Sequence, residues 1–462
     1  MRGAVCAVCE QPPDVDIPYV LVPDSRFALA RMAAAWYGRP AERLTMVGVT
    51  GTNGKTTVTT LIKQLLERTL HVKVGLIGTV ENRIGDAVLS AERTTPGALA
   101  LQRLLAQMAE AGCTHVVMEV SSHALAQQRV SGVTFDAAVF TNLTQDHLDY
   151  HGTMEAYCEA KSRLFRQCRA AAVNGDSRWA GRILEGADCP RILYGQNLTN
   201  DLVGWRPRYE NDRVRFTVSD EEGHCAAEVR VPGEFSLYNA LAALAALRLL
   251  GVPLSDAARA LPDCAGVRGR CEVVPTDAAY TVLIDYAHTP DGLKNVLETV
   301  CSFAERRVLL VFGCGGDRDR TKRARMGRIA SALSDLAVVT SDNPRTESPY
   351  AILHDVLAGM RGSTTPFAVI EDRREAIAYA LDHARRGDVV VLAGKGHETT
   401  QIVGAESRPF DERAVVRAHI QQRRKQHDEN SPCVSTGLRG HGGGGAPSDP
   451  MAPPTQGGAG DP

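Results

Sequence analysis

The stretch VGVTGTNGKTTVTTLIKQLL, residues 47–66, constrains this chain more than any other. An apolar run ends among glycines. Beyond them Val58, Leu61, Ile62, Leu65 and Leu66 recur at helical spacing. The pattern is a strand, a tight turn and a helix. Such a turn cradles phosphate, because backbone N–H groups without a neighbouring Cβ approach anionic oxygens closely and the helix N-terminus adds its dipole. Lys55 supplies a charge for the β- and γ-phosphates, and the hydroxyl of Thr56 can ligate Mg²⁺. The spacing is a variant: glycines stand at 48, 51 and 54, and Val49 holds the first Gly position of the strict G-x-x-x-x-G-K-[ST] pattern. The flanking strand and helix point to ATP. No N-K-x-D element for reading guanine occurs.

The same alternation continues downstream. Strand-like runs LTMVGVT, HVVMEV, AAVFTN, TVLIDYA, RVLLVFG, LAVVTS, FAVIE and DVVVLAG are separated by helical patterns. This predicts an α/β fold built from βαβ units with mostly parallel sheets. A central ATP-binding domain is expected at 46–264. It includes antiparallel strands at about 202–232 around DEEGH, and a helix LYNALAALAALRLLG that stops at Gly251, with Pro253 behind it. A C-terminal α/β domain is expected at 265–428. Residues 429–462 are rich in Gly and Pro and poor in large apolar side chains, so they are expected to be disordered.

Composition narrows the partners. A formal net charge of -2, with 23% charged residues, argues against a nucleic-acid or anionic-membrane partner. No apolar run reaches the ~18 residues that a membrane helix needs. Twelve scattered cysteines suit a reduced, cytoplasmic setting. Cys6 and Cys9 form a C-x-x-C with no second pair at zinc spacing, so no metal or redox role is assigned to it.

Other polar residues end apolar strands, where α/β sheets bind ligands. MEVSSHALAQQR places Glu119 there. FTNLTQDHLDYHG offers Asp146, His147 and Asp149 after another strand. Glu119 and His147 are candidate Mg²⁺ ligands beside Thr56.

Nine motifs occur in order: GVTGTNGKTT, TTP, MEVSSHAL, TNLTQDHLDYHG, AKSRLF, DYAHTPDGL, FGCGGDRD, DNPRTESP and GKGHE. Together they resemble the ATP-dependent Mur ligases of bacterial peptidoglycan synthesis, most closely the members that add the third amino acid. The resemblance spans roughly 20–425. It implies an ADP-forming ligase: ATP phosphorylates the side-chain carboxylate of the D-Glu unit in UDP-N-acetylmuramoyl-L-Ala-D-Glu, and the amine of meso-2,6-diaminopimelate attacks the acyl phosphate. Lysine or ornithine is the alternative amine. A folylpolyglutamate synthase is disfavoured by the joint presence of DNPR and GKGHE.

The resemblance also assigns residues. Lys55, Glu119, His147 and Lys161 are implied to be catalytic. Two Mg²⁺ ions are implied on Thr56, Glu119, His147 and a carbamylated Lys161. ATP is assigned to Gly51, Thr52, Asn53, Gly54, Lys55, Thr56, Thr57, Asn239, Asp285 and His288. Ser236 stands where the family has a companion asparagine for the base. The muramoyl dipeptide is assigned to Thr94, Thr95, Ser121, Gln127 and Arg129. Diaminopimelate is assigned to Arg323, Asp342, Asn343, Pro344, Arg345, Gly394 and Glu398, with Arg345 as the residue that distinguishes it from lysine. Residues 1–45 resemble only the end of the family's N-terminal uridine-binding domain. That implies either an enzyme that grips its substrate differently or, as expected here, a start set too late; a nucleotide-binding module with impaired substrate binding is an alternative to the ligase. The chain is expected to act as a monomer whose lobes close about a hinge near 264–268.

Overall fold

The computed structural model describes residues 3–210 and 212–430. Met1–His419 pack as one unit; the second unit begins at Ile420, where its described residues finish the helix Glu412–Asn430. Residues 431–462, most of the expected disordered tail, lie outside the described residues.

An 11-stranded sheet carries the first half of the fold. Its parallel centre runs, in spatial order, Arg191–Gly195, Ala171–Asn174, Ala137–Phe140, Thr45–Thr50, His115–Glu119 and Val74–Ile77. Apart from Arg191–Gly195, which is open at its first residues, these strands are short apolar runs buried on both faces, as is usual for parallel strands. Leu202–Tyr209 extends the parallel run. Val214–Asp220 and Gly223–Val229 then pair antiparallel through a two-residue turn at Glu221–Glu222. The polar alternation around DEEGH is therefore a hairpin on the edge of the same sheet.

One face of this sheet is covered by the helices Lys55–Leu70 and Glu234–Leu249. The second is alanine-rich and packs closely: a Cβ on Gly204 of the sheet would lie 2.9 Å from Leu241. Ala98–Glu110 and Met154–Ser162 cover the other face.

A second, six-stranded sheet has the order Glu272–Val273, Thr281–Asp285, Val389–Ala393, Val308–Phe312, Leu336–Val339, Phe367–Val369. It is parallel except at the Glu272–Val273 edge. A hairpin, Thr400–Val403 with Glu406–Pro409, follows its central strand.

Ahead of the phosphate-loop strand lie a parallel pair, Ala7–Cys9 with Tyr19–Leu21, and a helix, Ser25–Trp36. The helix turns Ala30, Ala33 and Ala34 inward, whereas Phe27, Leu29, Met32 and Trp36 stay exposed. Among the described residues no helix is long and apolar enough to cross a membrane.

Strand order reverses at Thr45–Thr50, which lies between Ala137–Phe140 and His115–Glu119. Open parallel sheets form ligand crevices at such reversals, outside the carboxyl ends of the strands.

Candidate active site

The phosphate loop occupies that crevice. Gly51 has φ +153° and Gly54 φ +85°, and both are closely packed. A Cβ on Gly51 would lie 1.9 Å from Thr141 Oγ1, and one on Gly54 2.4 Å from Asn239 Oδ1. The next strand end fixes the turn. Thr141 Oγ1 donates to Asn53 O at 2.6 Å, Thr52 N donates to Asn142 O at 2.9 Å, and Asn53 N donates to Asn142 Oδ1 at 2.9 Å. Thr144 N donates to Thr52 Oγ1 at 3.0 Å. Sequence inspection selected the loop but not these braces, because nothing local marks Thr141, Asn142 or Thr144 as its partners.

Two lysines meet on one carbonyl. Lys55 Nζ donates to Gly51 O at 2.9 Å and to Thr52 O at 2.9 Å. Lys161, from the helix Met154–Ser162, donates to the same Gly51 O at 2.9 Å while lying 4.5 Å over the Tyr157 ring. Burial, then the Lys55 charge, hold the Lys161 amine well below the usual lysine range. Lys55 is also lowered, first by burial, while Glu119 and Asp146 act in the opposite direction.

Glu119 is almost fully buried at the end of its strand. Thr79 donates to both of its oxygens, from N at 2.8 Å and Oγ1 at 3.0 Å. The carboxylate that faces both lysines beside it is Asp146. His147, at φ +51°, lies 3.5 Å from Asp146 and its ring packs on those of His123 and Tyr157. The side chain of Asp149 lies outside the described residues.

A chain of hydrogen bonds leads from Glu119 through every residue assigned to the muramoyl dipeptide. Thr79 Oγ1 reaches Thr94 Oγ1 at 3.0 Å, and Thr95 Oγ1 donates to Glu119 O at 2.8 Å. Ser121 N donates to Thr95 Oγ1 at 3.0 Å, and Arg129 Nη1 donates to Thr95 O at 3.0 Å. Arg129 also grips Gln127 Oε1 at 2.6 Å, and Gln127 reaches the Tyr150 hydroxyl at 3.3 Å.

Thr56 and Thr57 lie in the first turn of the helix after the loop. A narrow apolar crevice, with room for about one water, lies beside Thr57, lined by Leu61, Val231, Asn239, Cys264 and Val267 among others. Ser236 Oγ donates to Pro232 O at 2.8 Å, so its hydroxyl is engaged in its own turn.

The second sheet contributes Asp285 and His288. Asp285 accepts from Cys271 N at 2.8 Å and Ala287 N at 2.9 Å. Burial raises its carboxyl above the usual range and Arg270 opposes that rise. His288 is exposed. Arg270 is a residue that motif inspection missed. Its charge reaches both Lys55 and Asp285, it lies 5.3 Å from the Tyr286 ring, and its buried Nε has no hydrogen-bond partner.

Most residues assigned to diaminopimelate cluster at the carboxyl end of the second sheet. Asp342 and Asn343 are buried. Gly394 has φ +120°, and a Cβ there would lie 2.7 Å from Asp342 Oδ2. Asn343 Nδ2 donates to Glu398 at 3.0 Å. Pro344 O packs on Gly316, and Arg345, at φ +51°, donates to Gly316 O at 2.8 Å. Backbone strain of this kind in a non-glycine residue gathers at functional sites.

Arg323 departs from the expectation. Its side chain is fully buried, with Nη1 on Glu347 at 2.9 Å and Asp355 at 3.0 Å, and Nη2 on Glu347 at 2.7 Å. Those carboxylates leave it unavailable to a ligand. On the preceding loop Arg318 and Arg320 are exposed, and Arg320 pairs with Asp355 at 3.0 Å.

Comparisons with known proteins agree with this architecture. Residues 49–247 match the Mur ligase middle domain, and 269–396 match the Mur ligase, glutamate ligase domain. A protein of Geobacillus thermodenitrificans named UDP-N-acetylmuramoyl-L-alanyl-D-glutamate–2,6-diaminopimelate ligase is 48% identical over 92% of this chain and 88% of its own. One of the same name from Gloeobacter violaceus is 48% identical over 89% and 84%. A solved structure of a ligase of that name superposes with TM-score 0.70 at 35% identity, covering 91% of this chain and 88% of that one. The chain belongs to the Mur ligase family.

Proposed function

We propose that the protein is an ATP-dependent, ADP-forming ligase that joins meso-2,6-diaminopimelate to the D-glutamyl side-chain carboxylate of UDP-N-acetylmuramoyl-L-Ala-D-Glu, a step in peptidoglycan precursor assembly. The observation that carries this is the meeting of Lys55 and Lys161 on Gly51 O, at the mouth of a Gly-rich turn and beside Asp146.

A free carboxylate resists attack because its leaving group would be oxide. Transfer of the γ-phosphoryl group gives an acyl phosphate, whose leaving group is phosphate. The diaminopimelate amine adds to the carbonyl carbon, a tetrahedral intermediate forms, and phosphate departs as the amide appears. Phosphoryl transfer depends on positioning and on cations that spread the developing charge. The Gly51–Gly54 backbone and Lys55 hold the phosphates, and Arg270 faces the same space from the second sheet. Asn239 lies on the base side of the nucleotide.

Glu119, Asp146 and the Thr56 hydroxyl are hard oxygen donors of the kind that suit Mg²⁺. Among the described residues no three His, Cys, Asp or Glu stand close enough to hold one ion by themselves, so Mg²⁺ held here would draw most of its shell from phosphate and water. Bound there, Mg²⁺ would neutralise phosphate charge. The depressed amine of Lys161 favours its neutral form, which adds to carbon dioxide with loss of a proton. The product is a carbamate oxygen ligand in place of a repulsive ammonium. His147, next to Asp146, completes the candidate metal set.

Thr94, Thr95, Ser121, Gln127 and Arg129 bind the dipeptide substrate, and Arg129 supplies its cation. Asp342 and Glu398 suit the distal ammonium of diaminopimelate, and Arg345 suits its distal carboxylate. Lysine lacks that carboxylate.

Phosphate release from ATP, measured with the muramoyl dipeptide and each of diaminopimelate, lysine and ornithine, tests the assignment. Release with diaminopimelate is expected. Arg345→Met should raise its KM by about tenfold to a hundredfold, the worth of a charge-assisted pair. Release with none of the three amines would overturn the ligase assignment, and release with lysine alone would overturn the role of Arg345.

A further inference from the structure

The loop Gly394–Glu398 carries a charge that the reaction above leaves unused. Lys395 has 0% exposure, although it stands two residues beyond the strand Val389–Ala393, at the mouth of the amino-acid site. Its Nζ donates to Asn343 Oδ1 at 3.0 Å and to Glu398 Oε2 at 3.2 Å, and lies 3.6 Å from Asp342 Oδ1. The groups around it are tied down as well. Asn343 Nδ2 donates to Glu398 Oε2 at 3.0 Å, Ile402 N donates to Asn343 Oδ1 at 3.0 Å, and Gln401 Nε2 donates to Asp342 O at 2.8 Å.

A buried ammonium is costly unless it is paired and hydrogen-bonded. The three side chains that pair with this one are all assigned to diaminopimelate. With no exposed surface, Lys395 acts on a ligand only through them. Lys395 meets both carboxylates at once, Glu398 at 3.2 Å and Asp342 at 3.6 Å. Resting on the ligase assignment, we propose that Lys395 is a positioning residue for amino-acid selection: it fixes Glu398, Asn343 and Asp342 in the orientation that receives a substrate ammonium.

Steady-state kinetics of phosphate release test this. Lys395→Met removes the charge and keeps an unbranched apolar chain. It should raise the KM for diaminopimelate by about tenfold or more, the scale of a lost charge-assisted pair. KM for ATP and for the muramoyl dipeptide should stay put, and kcat should be retained at saturating diaminopimelate. In an E398Q background the same substitution should cost much less, because the groups act as one unit. Should Lys395→Met fail to fold, Lys395→Gln serves the same cycle, since its amide still donates to Asn343. An active wild type with a variant of unchanged diaminopimelate KM, or equal penalties in both backgrounds, overturns the role of Lys395. A wild type that releases no phosphate with diaminopimelate overturns the ligase assignment and this proposal with it.

Discussion

Lys161 reaches Gly51 O from 110 residues along the chain, and lands beside Lys55. Two ammonium groups so close in a buried setting favour loss of one proton; burial lowers both, but Glu119 helps keep Lys55 charged, which leaves Lys161 to lose it. If its amine becomes a carbamate, degassed buffer should lower activity and added bicarbonate should restore it. ¹³C-bicarbonate should then give a carbamate signal in the wild type and none in Lys161→Ala. The variant should lose about a hundredfold or more in kcat, as removal of one preorganised charge-stabilising group does. Arg323 gives a different expectation. Its hydrogen bonds hold the Glu347 carboxyl down to about 2 from an ordinary 4.5. A depressed carboxylate stabilises the fold above its unfolded value and loses that contribution as pH falls through its folded one. Acid unfolding should therefore steepen between about 4.5 and 2, and Glu347→Gln should remove that part of the profile in a melt-versus-pH series. Arg323 was misassigned from sequence because motif position cannot show that Glu347 and Asp355 already take both ends of the guanidinium. The phosphate loop with Lys55, and Glu119 at its strand end, stand in local patterns that the sequence shows; Lys161 was picked out only through the motif resemblance, since its meeting with Gly51 O spans 110 residues. Arg270 and Lys395 were not, since their partners are brought to them only by folding.

The phosphate loop is an element whose backbone leaves no room for a side chain. Gly54→Ala would force a methyl against Asn239 Oδ1 in a left-handed conformation. The expected result is a sharply weakened affinity for ADP and a melting temperature lowered by the equivalent of about 1–3 kcal/mol. Isothermal titration with ADP and a thermal melt measure the two. The linker behaves differently along its length. Gln64 pairs with both Ala265 N and Ala265 O, at 2.8 and 3.0 Å, and Arg68 holds Asp263 O at 2.7 Å. Residues 263–265 are thus fastened to the helix Lys55–Leu70, and any hinge begins at Gly266. At this scale the alternation of strands and helices was readable from apolar periodicity. The joining of the Val214–Asp220 and Gly223–Val229 hairpin to the phosphate-loop sheet was not, because strand partners are chosen by tertiary packing.

The assignments divide one reaction between two sheets: nucleotide and acid on the first, amino acid on the second. Arg270, beside the second sheet, adds a small charge effect to the burial that lowers Lys55 on the first. Closure about Gly266–Arg268 should therefore accompany substrate binding. Small-angle scattering should give a smaller radius of gyration with ATP analogue, dipeptide and diaminopimelate than without them, and Gly266→Pro should blunt the change. An identical radius in both states would count against closure. The central claim concerns the chemistry at the junction, an acid activated by phosphoryl transfer before the amine arrives. It is tested most directly by labelling the D-glutamyl side-chain carboxylate with ¹⁸O and weighing the phosphate released during turnover with diaminopimelate. The acyl-phosphate route predicts phosphate carrying one labelled oxygen taken from the acid; phosphate free of label would contradict it.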